Sequence, residues 1–135
     1  MDFALATELM RHKFIDHIVL IVRDIKRTAS FYGKFLDKPI MQDNKQVAYR
    51  VGDAKLFFGL SYKKYKQCDK DTGGLNHLAF GVSSFKELKV LEESLNKSGI
   101  KNSGIIIGKH SKNEFIWFDD PDGYRLEFYC RSEKL

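Results

Sequence analysis

Three side chains in this 135-residue sequence have the types and placing that a divalent metal needs: His17, His77 and Glu127. His17 lies in FIDHIVLIV, residues Phe14–Val22, and His77 lies in LNHLAFGV, residues Leu75–Val82. Strand alternation puts His17, Val19 and Ile21 on one face of the first run, and His77, Ala79 and Gly81 on the equivalent face of the second. In the last apolar run Arg125, Glu127 and Tyr129 share a face, while Tyr124, Leu126 and Phe128 form the packing side. A lone carboxylate turned toward apolar surroundings is costly unless a cation compensates it. Two imidazoles near one carboxylate suit a metal better than a bare ion pair. With open positions left for water, substrate or oxygen, that set is the facial triad. The cofactor expected is one divalent metal ion, with Fe, Mn, Ni and Zn all open.

The elements that must position these groups read as a repeat. The run ending at Val22 is a strand, rich in Ile and Val. Asp24 caps a helix with Ile25, Ala29, Phe31 or Tyr32, and Phe35 or Leu36 at helical spacing. Pro39 is read as its end. Strands follow at Ile40–Gln42, Gln46–Val51 and Lys55–Ser61, with Asp43-Asn44 and Gly52-Asp53 as turns. After a loop from Tyr62 to Gly74 the pattern restarts. Leu75–Val82 is a strand, and Ser83 or Ser84 caps a helix built on Leu88, Leu91 and Leu95 that Gly99 stops. Strands follow at Gly104–Ile107, Glu114–Phe118 and Tyr124–Cys130, with Pro121-Asp122-Gly123 as the last turn.

Asp16-His17-Ile18 aligns with Asn76-His77-Leu78, Val22 with Val82, and Ile25-Lys26 with Phe85-Lys86, at a constant offset of 60 residues. Order, element type and the histidine position all coincide, which sets the fold more firmly than any single propensity. The expected class is α+β: two βαβββ modules, 13–62 and 74–131, forming a curved mixed sheet around a central cleft. They make one domain over 13–135, with residues 1–12 as an N-terminal extension. Each module alone has an apolar sheet face without a partner, and pairing buries both.

Other side chains are candidates around the metal. His110, in the loop Gly108–Lys112, has a ring suited to acid or base work, and Tyr129 offers a phenol beside Glu127. Arg125 is placed to hold a substrate carboxylate. Trp117, Phe115 and Tyr62 are aromatic candidates for substrate contact, although such rings more often serve the core.

Composition narrows the class. Hydrophobic residues make up 43% and charged residues 30%, an ordinary globular balance. No apolar run approaches the length of a membrane span, and the first residues lack the basic start and long apolar stretch of a secretory signal. A cytoplasmic protein is expected. The net charge is +5, in part from Lys63, Lys64 and Lys66. These form a solvated loop or a basic lip attracting an anionic substrate, and no nucleic-acid motif accompanies them. Cys68 and Cys130 are expected to be free thiols.

The segments FIDHIVLIVRDIKRTASFYGKFL, GGLNHLAFGV and FIWFDDPDGYRLEFY resemble the vicinal-oxygen-chelate superfamily: glyoxalase I, fosfomycin-resistance enzymes, extradiol dioxygenases and bleomycin-binding proteins. The resemblance covers about Lys13 to Arg131, and the Asp-Pro-Asp-Gly turn before a Glu-bearing strand is its most specific piece. It implies a metal held by the first-strand histidine of each module and the last-strand glutamate, here His17, His77 and Glu127. It also implies a homodimer, in which modules can pair between chains so that His17 meets His77 and Glu127 of the other subunit. Either pairing is compatible with the sequence. Departures narrow the chemistry. Glyoxalase I adds a fourth ligand, a glutamate in the last strand of the first module. Aligning Phe57–Tyr62 with that strand puts Gly59 in its place, and the repeat is read as pairing Gly59 with Glu127. Fosfomycin-resistance enzymes carry Thr two residues after the first histidine, where this chain has Val19, and an Arg beyond the last strand. Extradiol enzymes carry a Tyr in the region occupied here by Phe115 and Trp117. The expectation is a metal-dependent enzyme acting on a small oxygen-chelating substrate by lyase, isomerase or dioxygenase chemistry. The alternative is a non-catalytic module that sequesters a small molecule in the same cleft.

Overall fold

The computed structural model describes residues 11–131; most of the extension read at 1–12 therefore lies outside the described residues. Two β-α-β-β-β units follow one another. The first comprises β1 (His17–Val22), α1 (Ile25–Tyr32), β2 (Met41–Gln42), β3 (Gln46–Val51) and β4 (Ala54–Leu60). The second comprises β5 (His77–Val82), α2 (Phe85–Lys97), β6 (Ile106–Ile107), β7 (Glu114–Asp119) and β8 (Arg125–Cys130). Each unit forms a four-stranded mixed sheet of identical order, β1-β4-β3-β2 and β5-β8-β7-β6, in which the first and last strands run parallel.

Local chemistry accounts for the helix boundaries. Asp24 accepts a hydrogen bond from the Arg27 amide at 2.8 Å, and Ser84 forms a capping box with Glu87, satisfying amides that a first turn leaves free. α1 ends at Tyr32, with Gly33 as its C-cap, well before Pro39. Phe35 and Leu36, read as helical, instead sit in turns that hydrogen-bond back to the Tyr32 carbonyl. α2 stops where Gly99 adopts a φ of 69°, a backbone state that a side chain disfavours.

The core is a single cluster drawn from both units, including Leu20, Val22, Phe58, Phe80, Leu88, Phe118 and Phe128. Phe35 joins them, lying 5.5 Å from Phe118 and 5.5 Å from Phe128 between ring centroids. On β1 and β5 the residues alternating with the core, among them His17, Val19 and His77, Ala79, are exposed. The histidine-bearing faces are thus the outer faces of the two sheets.

Two buried aspartates of the last turn tie the units together. Asp120 accepts hydrogen bonds from the Tyr32 hydroxyl at 2.6 Å and from the amides of Asp122 and Tyr124. Asp122, 1% exposed, accepts from the Arg23 amide, the Arg27 guanidinium and the Tyr65 hydroxyl. Desolvation dominates at Asp120 and raises its carboxyl to about 6, against the opposing pull of its hydrogen bonds. The same burial, with Asp122 beside it, raises the Tyr65 phenol above its ordinary value.

Candidate metal centre

The ladders turn each outer face into a grid of three rows. On the first sheet the rows are His17-Lys55-Arg50, Val19-Phe57-Ala48 and Ile21-Gly59-Gln46. On the second they are His77-Arg125-Asp119, Ala79-Glu127-Trp117 and Gly81-Tyr129-Phe115. Glu127 is therefore the counterpart of Phe57, and Gly59 is the counterpart of Tyr129. This corrects the pairing of Gly59 with Glu127. The offset of 60 holds for the first strand and the start of the helix. α2 has 13 residues against 8 in α1, and the turns between the later strands are longer, so the last strands correspond at an offset of 70 (125 − 55). The position of a fourth ligand is filled by Phe57, whose ring meets His17 edge-on at 5.7 Å. The conclusion that no fourth carboxylate stands there is unchanged.

Both histidines are tethered in the same way. His17 Nδ1 donates to Asp16 Oδ1 at 2.7 Å, and His77 Nδ1 donates to Asn76 Oδ1 at 2.7 Å. A donor at Nδ1 leaves Nε2 with its lone pair free, which is how ligating histidines are usually oriented. The His17 bond also holds the Asp16 carboxyl below its ordinary value. His77 Nε2 lies 3.5 Å from Glu127 Oε2, with the two side chains 40% and 19% exposed. His17, 54% exposed, stands on the other sheet. Among the described residues no three metal-type side chains converge within the chain. The structure brings together two of the three expected ligands and turns the third, with its Nε2 free, to the outside.

Around Glu127 the other candidates form a wall. The Arg125 guanidinium lies over the Trp117 ring at 3.8 Å and pairs with Asp119 at 2.5 Å. Phe115 stacks on Tyr129, at 5.9 Å and 19°. The Tyr129 hydroxyl is bonded to Ser111 Oγ, which fastens the turn carrying His110 to this face. Tyr62 is fully exposed on the first sheet's side and joins none of these groups. It borders a cavity of about 430 Å³ with Val19, Ile21, Lys45, Gln46, Gly59, Leu60 and Ser61. His17 borders an adjoining one of about 300 Å³. Sequence reasoning did not single out Lys45, Gln46 or Ser111: a turn lysine, a strand-end glutamine and a loop serine carry no motif. Cys68 and Cys130 are free thiols.

Residues 14–128 match the model of the Glyoxalase/Bleomycin resistance protein/Dioxygenase superfamily, and the chain belongs to that family. It is 29% identical to the uncharacterized protein YwkD of Bacillus subtilis over 127 residues, covering 87% of this chain and 96% of that one. It is 28% identical to the glutathione transferase FosA of Serratia marcescens, covering 87% and 81%. Among solved structures, a glyoxylase/bleomycin resistance protein/dioxygenase domain from Frankia sp. superposes with a TM-score of 0.71 at 25% identity, covering 89% and 98%. Among the described residues no helix is long and apolar enough to cross a membrane.

Proposed function

We propose that the protein is a divalent-metal enzyme acting on a small oxygen-chelating substrate, and that its metal is held by His77 and Glu127 of one subunit and His17 of a second. The observation that carries the reading is the His77–Glu127 pair at 3.5 Å on an outward face, with His17 presented alike on the other face and both rings fixed through Nδ1. The donor set fits a divalent ion: two neutral imidazole nitrogens and a carboxylate, a combination that Fe, Mn, Ni and Zn all accept. A homodimer that sets the first face against the second completes the triad twice. It also covers Val19 and Ile21, apolar side chains left 54% and 37% exposed.

When bound, the metal supplies Lewis acidity to two substrate oxygens. The chain's own residues do the rest. Arg125, held flat on Trp117, meets a substrate carboxylate. Phe115 and Trp117 wall the site, and Tyr62 contributes from the other sheet. Tyr129, its hydroxyl held by Ser111, and His110 on the same loop hold or move a proton at the rim.

The test is metal analysis and subunit mixing. Wild-type protein is expected to retain close to one equivalent of metal per chain, and Glu127→Ala to lose it. His17→Ala and His77→Ala homodimers should each fail. A refolded mixture should regain metal, because a heterodimer carries one intact site. No metal in wild type after reconstitution would move the reading to a ligand-sequestering module. Metal in wild type without rescue in the mixture would rule out the shared site.

A further inference from the structure

The two outer grids are alike in order and opposite in filling. The second face is small along β5, with Ala79 and Gly81, and bulky along β7 and β8, with the stacked Phe115 and Tyr129. The first face is bulky along β1, with Val19 and Ile21, and hollow where Gly59 and Gln46 stand in the places of Tyr129 and Phe115. Gly59 is not required by its backbone: a Cβ there would meet nothing within 4 Å. Its effect is to leave room. The cavity over it has Val19 and Ile21 as its apolar floor, and Lys45, Gln46, Ser61 and Tyr62 complete its lining, with Lys45 opposite Leu60 one residue beyond the row of Gly59. None of the ion pairs among the described residues engages Lys45. From the row of His17 to the row of Gly59 is four residues of strand, roughly 13 Å.

We infer that the hollow over Gly59 seats the part of the substrate beyond its chelating oxygens: a short apolar chain that ends in an anionic group at Lys45. This rests on the metal reading above. Gly59 sets how long and bulky the substrate is, the apolar floor takes its methylenes, and the Lys45 ammonium supplies the countercharge at the far end. At the corresponding place on the second face Tyr129 and Phe115 fill the space, so only the first face has room for such a chain.

The test compares three chelating acids on manganese-loaded protein by titration calorimetry: glycolate, α-hydroxyoctanoate and α-hydroxysuberate. The readout is the ratio of affinities within each protein, so a general loss of binding cancels. In wild type α-hydroxyoctanoate should bind at least about tenfold tighter than glycolate, and α-hydroxysuberate about fivefold tighter again. Gly59→Tyr should erase the first advantage and Lys45→Ala the second. Ratios near one in wild type, or ratios that neither variant changes, would overturn the inference while glycolate binding keeps the metal reading. If manganese or glycolate does not bind, the metal reading fails by itself. Suberate added to metal-free protein then decides the hollow: shifts at the Lys45, Gly59 and Ser61 amides support it, and their absence overturns it.

Discussion

Replacing Asp120 by Asn should stabilise the protein at neutral pH and leave it nearly unchanged in mild acid. Asp120 is 6% exposed, and its carboxyl is raised from 3.8 to about 6. At about 1.4 kcal/mol for each tenfold change in proton affinity, keeping it charged at pH 7 costs about 3 kcal/mol. Because the folded value lies above the unfolded one, this group's contribution is most favourable below about pH 4 and is lost as pH rises through about 6. Asparagine matches the protonated acid closely. Its oxygen can accept from the Asp122 and Tyr124 amides as Asp120 Oδ1 does, and its amide can donate to the Tyr32 hydroxyl. Urea unfolding of both proteins across pH 4 to 7.5, at one protein concentration, measures the difference. The variant should gain about 1–3 kcal/mol at pH 7.5 and almost nothing at pH 4. A gain independent of pH, or a variant weaker than wild type at pH 7.5, would refute the argument that desolvation outweighs the hydrogen bonds.

Asp122→Ala strips the acceptor from Arg23, Arg27 and Tyr65 and should cost about 3–5 kcal/mol, read as a fall in thermal midpoint. Phe118→Ala, at the contact of Phe31, Phe35 and Phe128, should cost a further about 3–5 kcal/mol by leaving a cavity; equilibrium denaturation checks it. Phe57→Glu places a carboxylate at the counterpart of Glu127 and should tighten metal binding about tenfold in competition with a chelator. Gly59→Glu, one row away, should not.

The grammar of the fold was open to reading because it is written locally. Asp24 and Ser84 cap where they were expected to, and the repeat around His17 and His77 identified the two opening strands. The side of β8 that Glu127 occupies followed from its alternation with Leu126 and Phe128. The failure at Gly59 has a plain cause. Matching letters anchored the opening strands and the helix starts at an offset of 60. Pairing Gly59 with Glu127 takes an offset of 68 (127 − 59), whereas the last strands correspond at 70 (127 − 57), one row away, which hydrogen-bond ladders reveal and letters do not. Asp120 and Asp122 were legible as a turn and nothing more. Their importance depends on Tyr32 and Tyr65, which reach them across 88 and 57 residues of sequence. Likewise no spacing rule could show that His17 would face away from His77 and Glu127, since that depends on which sides of the sheets the core consumes.

The tie between the two units by Asp120 and Asp122 bears on how subunits would count themselves. With the proposed pairing, each chain offers two unlike faces, and the angle between them decides what assembly results. At one angle a second copy returns to the first and the ring closes at two members; at others each added copy leaves a fresh face exposed and growth has no natural end. The hydrogen bonds from Tyr32, Tyr65, Arg23 and Arg27 to that one turn, together with the shared core, hold this angle from inside the molecule. Loosening them would change the assembly's arithmetic as well as its melting point, from a closed pair to an open-ended string.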